Sequence, residues 1–272
     1  MEYPRITSRK NPLIRQAALL ASSPESRQEQ GAFLCEGARL CQDAARSGVG
    51  VRTCFFTQPA WEKYGEYLQP VLEAAQEAFL IEGHVAKLLS GTKSPQGVFC
   101  VCKWDSALHR GAAGLAPGGP CLVLENLQDP GNLGTILRTA EALGVGQVFL
   151  LGSCCDPLSP KVLRASMGAV FRISLIREPS AQRLAALLEG GGYTLHGAVP
   201  DSGARRVTGI DFTQGRHAVL IGNEGRGLTE DALALCHGRV TIPMAGRAES
   251  LNAAAAATIL LWELQRGTGK EG

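Results

Sequence analysis

From Cys121 to Leu124 the chain is apolar without interruption, and it then gives way to Glu125-Asn126 and to Asp129-Pro130-Gly131. A short continuous apolar run is the pattern of a strand buried on both faces, and Asp-Pro-Gly is turn chemistry. Asn132 is expected next, as the N-cap of a helix whose apolar face is Ile136, Leu137, Ala140 and Leu143 and which stops at Gly144. Arg138 stands roughly 9 Å along that helix from Asn132, at about 1.5 Å rise per residue. It is the only charged residue between Asp129 and Glu141.

Two further segments repeat the pattern. Ala218–Ile221 runs into Gly222-Asn223-Glu224-Gly225, and Val240–Pro243 runs into Met244 and on to Ser250-Leu251-Asn252. Strands are predicted near residues 121–126, 147–151, 170–176, 193–199, 217–221 and 239–242, alternating with helices. Such alternation argues for an α/β fold with a parallel sheet covered on both faces. In sheets of this kind ligands bind in the crevice outside the carboxyl ends of the strands, where these glycines, carboxylates and amides belong. The final helix, Ser250–Gln265, is apolar nearly all round and is expected to be buried.

Upstream, helices are predicted near residues 11–21 and 36–47 and strands at 53–57 and 98–103, which make a small α/β domain. Periodicity is lost in DSALHRGAAGLAPGGP, Asp105 to Pro120, which reads as a linker. The predicted organisation is therefore a domain over residues 1–105, a linker over 106–119 and a second domain over 120–272.

Composition excludes more than it identifies. A chain of 272 residues with 45% hydrophobic content is long enough for two folded domains, and no apolar run approaches the roughly 18 to 20 residues that span a bilayer. The N-terminus lacks the apolar core of a secretory signal, so a cytoplasmic protein is expected. The formal charge of +2 does not announce a nucleic-acid partner, although Arg5, Arg9, Lys10 and Arg15 cluster. Nine cysteines without a Cys-x-x-Cys pair, and no histidine at ligand spacing, leave no expected metal site. Cys100 and Cys102 alternate on one strand face as small buried hydrophobes.

The residues carry a resemblance. Asn126 with Asn132, Gly134 and Arg138-Thr139-Ala140, then Gly222-Asn223-Glu224-Gly225, then Ile242-Pro243-Met244 with Ser250-Leu251-Asn252, resemble in order and spacing the three motifs of the SpoU (TrmH-type) RNA ribose 2'-O-methyltransferases. Phe33–Leu40 resembles the small RNA-binding domain, similar to a ribosomal protein, that precedes the catalytic domain in many members. The resemblance implies a C-terminal trefoil knot of SPOUT type, a homodimer, S-adenosyl-L-methionine as methyl donor and an RNA substrate. Ribosomal RNA is the expected substrate. Transfer RNA, or an inactive RNA-binding assembly factor of the same fold, is the alternative.

By family position Arg138 is the catalytic arginine, with Asn132, Glu224, Ser250 and Asn252 around the reacting centre. Gly222, Ile242 and Leu251, joined by Asn223, Gly225 and Met244, match positions that hold the donor. A ribose hydroxyl must lose its proton as it attacks, yet a guanidinium is effectively always charged. Arg138 is therefore read as gripping the adjacent phosphate and stabilising the alkoxide, with a general-base role as the other possibility. Glu224 is expected to orient Arg138 or to bind the ribose. Gly222-x-x-Gly225-x-Gly227 is not the dinucleotide fingerprint, which makes a nicotinamide enzyme a weak rival.

Overall fold

The computed structural model describes residues 3–104, 119–178 and 180–267. The chain divides into two compact units, one of Met1–Leu108 with Asp156–Arg172 and one of His109–Cys155 with Ile173–Gly272. The predicted linker lies outside the described residues except at Gly119.

In the first unit the elements run β1 (Arg5–Ile6), α1 (Pro12–Ser22), α2 (Pro24–Gln30), β2 (Ala32–Glu36), α3 (Ala38–Arg46), β3 (Val51–Phe56), α4 (Gln58–Ala74), β4 (Ala75–Ile81), α5 (Gly83–Leu89) and β5 (Val98–Lys103). They form a mixed sheet of order β1-β4-β3-β5-β2. One core gathers Ile14, Leu20, Leu34, Phe55, Val85 and Phe99. Cys100 and Cys102 are both fully buried, and the Cys102 thiol lies 3.8 Å from that of Cys35. The segment from α4 to α5 has no clear sequence signature, because Pro70 sits inside α4 and β4 carries the exposed polar pair Gln76-Glu77.

The second unit is built on β6 (Cys121–Glu125), α6 (Pro130–Ala142) and β7 (Gln147–Leu151). After α7 (Pro160–Ser166), which packs in the first unit, come β8 (Ser174–Glu178), α8 (Ala181–Gly190), β9 (Tyr193–Ala198), β10 (Arg205–Arg206), β11 (Arg216–Ile221), α9 (Glu230–Ala234), β12 (Gly238–Thr241) and α10 (Ala253–Gly267). All seven strands are parallel, in the order β10-β12-β9-β11-β6-β7-β8. Every residue of β6 and β7 is buried, as the uninterrupted apolar runs require of inner parallel strands. The chain leaves β6 toward β7 and β8 and later returns on the other side through β9 and β11. The direction therefore reverses between β6 and β11, and the crevice of such a sheet opens at that point.

Three local expectations are corrected. The cap of α6 is Asp129, whose Oδ1 accepts the Asn132 N–H at 2.8 Å, so Pro130-Gly131 are the first helical residues and Asn132 lies inside the first turn. Aspartate is a strong cap and proline fits the position after it. The strand expected near 170–176 begins only at Ser174, because Ala169–Phe171 form a short 3-10 turn in the first unit, where Phe171 stacks on Phe33 with ring centroids 6.0 Å apart. The last helix starts at Ala253, and its burial is one-sided. Ala257, Leu260, Leu261 and Leu264 face the interior, while Ile259 and Trp262 are 37% and 56% exposed.

Candidate active site

Glu224 follows β11, beside the loop that follows β6. Its Oε1 accepts the Asp129 backbone N–H at 2.9 Å and the Asn132 side-chain amide at 3.1 Å, and its Oε2 accepts the Gln128 N–H at 3.1 Å. Partial burial raises the carboxyl pKa, but the Asp129 N–H, the Asn132 amide and the Gln128 N–H outweigh it and hold the group below the ordinary value. Asn132 Oδ1 accepts the Asn252 amide at 3.0 Å, and Asn252 Oδ1 caps α10 by accepting the Ala254 N–H at 2.9 Å. The orientation of both amides is fixed, since the chain runs between an acceptor-only carboxylate and donor-only helix N–H groups.

A second set of bonds shapes the floor. Asn126, with φ 52°, offers its carbonyl to the Asn223 amide at 2.8 Å and its side-chain oxygen to the Ser153 N–H at 2.8 Å. Asn223 Oδ1 accepts the N–H groups of Gly225 and Arg226 at 2.9 and 3.0 Å, and this closes the loop on itself. A Cβ at Gly222 would lie 2.3 Å from the carbonyl carbon of Gly227, so glycine is the residue that permits the fold-back.

Beside this network is a cavity of about 380 Å³. Gly222, Asn223, Gly225, Ile242, Met244 and Leu251 all line it, and so do Glu224 and Ser250. Ser250 lies ahead of α10 and does not cap it. The structure thus brings together every nominated donor-site residue and four of the five nominated catalytic ones, because Asn132 and Asn252 join the cavity through Glu224.

Arg138 is the exception. It is exposed on α6 and forms no hydrogen bond or ion pair with a described residue, and the Glu224 carboxylate engages Gln128, Asp129 and Asn132 instead. The expected orienting contact from Glu224 is absent among the described residues. Ala198, Val199 and Pro200 at the end of β9, and Ala256 and Leu260 of α10, also line the cavity and were not foreseen. Gly197, just before them, packs its bare Cα against Leu233 and Cys236, with a Cβ position 3.0 Å from each. That lone strand glycine is the one signal the sequence offered.

The profile of the SpoU rRNA Methylase family matches residues 119–262, the stretch that contains this crevice. The chain belongs to that family. A profile described as an MRM3-like substrate binding domain matches residues 11–100. The SpoU chain is 38% identical to an uncharacterized tRNA/rRNA methyltransferase of Synechocystis over 96% of its own length and 93% of the relative's. It is 29% identical to the 23S rRNA (guanosine(2553)-2'-O)-methyltransferase of Bacillus subtilis, covering 96% and 99%. Among solved structures, an AdoMet-bound rRNA methyltransferase from Sinorhizobium meliloti superposes with a TM-score of 0.84 at 29% identity, covering 97% and 98%.

Among the described residues no helix is long and apolar enough to cross a membrane, and no cluster of His, Cys, Asp or Glu could hold a metal ion. None of the nine cysteines, all among the described residues, is in a disulfide.

Proposed function

We propose that the protein is an S-adenosylmethionine-dependent methyltransferase of ribose 2'-hydroxyls in ribosomal RNA. It acts as a homodimer with a C-terminal trefoil knot and uses its N-terminal unit, residues 1–105, to engage RNA. One observation carries the reading: six donor-site residues nominated from two separated motifs line a single cavity, beside the Glu224-Asn132-Asn252 chain that brings in the remaining motif at the switch point of the sheet.

The cavity fits the donor by its mixture of apolar walls, Ile221, Ile242 and Leu251, with polar groups from Asn223, Glu224 and Ser250, on a loop whose fold-back requires Gly222. Bound there, S-adenosylmethionine supplies an electrophilic methyl group. Glu224 stays ionised through its N–H donors, which makes it a poor proton acceptor near neutral pH. Its work is to hold Gln128-Asp129 and Asn132 in place. Arg138, charged and uncommitted, is free to grip the phosphate beside the target ribose and to stabilise the oxyanion as the hydroxyl proton leaves to water. The apolar face that α10 leaves open, with Ile259 and Trp262, supports the homodimer.

Calorimetry with S-adenosylhomocysteine is expected to give one site per chain that Gly222→Ala removes. No heat with the wild type, under conditions where the protein is folded, would overturn the donor assignment. Sedimentation at micromolar concentration should show a dimer that Trp262→Asp dissociates, and a monomeric wild type would overturn the dimer.

A further inference from the structure

The first unit contains a cavity of about 690 Å³ that has no part in the donor site. Its walls join stretches distant in sequence. Gly37, Arg39, Tyr67 and Gln96 fall within the match to the substrate-binding profile, whereas Arg164 and Met167, at the end of α7, fall within the match to the methylase profile. This seating is tight, since a Cβ on Gly168 would lie 2.6 Å from the Asp43 carboxylate.

Glu36 organises one wall. Its side chain is 7% exposed and accepts from the Ser90 hydroxyl, from the Gly91 N–H at 3.1 Å, from the Thr92 hydroxyl at 3.0 Å and from Arg164 Nη1 at 3.3 Å. The acid is thereby satisfied, and Arg164, 35% exposed, has further N–H groups to offer. On another wall the Arg39 guanidinium lies over the Tyr67 ring, 5.9 Å from its centroid. Met167 adds a polarisable apolar surface, 49% exposed and held at φ 49°. Asp43 and Gln96 supply hydrogen-bonding groups on the same cavity.

A planar cation on an aromatic face, a second cation, a soft apolar contact and amide and carboxylate groups in one concavity match the chemistry of an unpaired nucleotide. Its base stacks, its edges hydrogen-bond and its phosphate seeks a cation. We propose that this cleft takes one unpaired nucleotide of the RNA substrate, its base stacked on the Arg39–Tyr67 platform and its phosphate drawn to Arg164. The proposal rests on the reading of the chain as an RNA methyltransferase. It makes α7, which lies within the match to the methylase profile, part of the RNA-docking surface.

The test is filter binding of the full-length protein to ribosomal RNA from cells lacking the gene, with S-adenosylhomocysteine affinity measured in parallel. Tyr67→Ala should weaken RNA binding by about tenfold or more and leave the salt dependence unchanged, while Tyr67→Phe keeps the affinity within about twofold. Arg39→Gln, at an exposed position that does not threaten folding, should weaken binding by about threefold or more through loss of the stacking cation. S-adenosylhomocysteine affinity should stay at the wild-type value in all three. RNA binding by Tyr67→Ala and Arg39→Gln equal to wild type would overturn the cleft and leave the methyltransferase reading intact. A wild type that binds S-adenosylhomocysteine but no RNA would overturn the RNA reading, and the cleft with it.

Discussion

Two carboxylates stand at the carboxyl ends of neighbouring strands in the second unit, and they do opposite work. Glu125 closes β6 and is 4% exposed, with its oxygens accepting the Thr229 hydroxyl at 2.6 Å and the Thr229 N–H at 3.0 Å. Thr229 in turn caps α9. Glu224 follows β11, is exposed, and engages Asn132 and the main chain of Gln128-Asp129 beside the cavity. Both acids are satisfied by hydrogen bonds. They differ in what lies beyond them: Glu125 faces only protein, whereas Glu224 sits where a ligand can enter. A strand-end acid in this fold is thus a clip or a site residue according to whether the acid itself lines a cavity, as Glu224 does.

The sharpest way to test that contrast is at the exposed cation of the same site. Arg138→Ala should lower methyl transfer by about a hundredfold or more, roughly 2.7 kcal/mol of transition-state stabilisation, without changing donor affinity. Lysine should not restore it, since a point charge lacks the planar fork. Single-turnover rates beside S-adenosylhomocysteine titrations decide this, and a loss below about tenfold would remove Arg138 from the catalytic group.

Next in size is the pair itself. Glu224→Gln should cost about tenfold in rate, because all three hydrogen bonds to the carboxylate come from N–H donors and the new amide nitrogen must face at least one of them, yet it should leave thermal stability close to wild type. Glu125→Gln should do the reverse. Its neutral amide can still accept the buried Thr229 N–H and donate to the Thr229 hydroxyl, but both bonds lose the strength that the charge gave them, so a loss on the order of 1 kcal/mol in denaturant unfolding is expected with near-normal turnover. If Glu125→Gln lost rate and Glu224→Gln lost stability, the distinction between clip and site would fail.

The remaining effect concerns pH. Glu224 has its pKa held below the ordinary 4.5, so its contribution is fully present above that pH and is lost only as pH falls through the lower folded value. His196, 8% exposed in the second unit, behaves differently. Burial first, then the nearby His217, pull its pKa from 6.5 to about 4. The unfolded chain takes up a proton near 6.5 that the folded chain refuses until about 4. Stability should therefore decline as pH falls from 6.5 toward 4, by an amount on the order of 3 kcal/mol at most. His196→Gln should flatten this decline in urea-unfolding profiles, and an unchanged profile would locate the pH sensitivity elsewhere.

The motif residues were legible because the site is built from strand ends, and strand ends announce themselves as apolar runs that break into glycine and amide. Gly222 to Gly225 and Ile242 to Met244 are read that way, and all but Pro243 line the cavity. What the pattern omits is strand order. β9 lies between β11 and β12, so Ala198 to Pro200 enter the cavity although nothing polar marks them. The helix starts were misplaced by local competition, Asp129 capping ahead of Asn132 and Asn252 capping behind Ser250. The seating of α7 in the first unit was hidden for another reason, since Val170 and Phe171 read as the start of a strand until Phe33 is seen to stack on Phe171.

The most direct measurement incubates the purified protein with labelled S-adenosylmethionine and ribosomal RNA from cells lacking the gene, then digests the RNA with alkali. Label is expected in an alkali-resistant dinucleotide, the mark of a methylated 2'-hydroxyl, and Arg138→Ala should abolish it. Label released as a methylated base, or no label from a protein that binds the donor, would contradict the assignment.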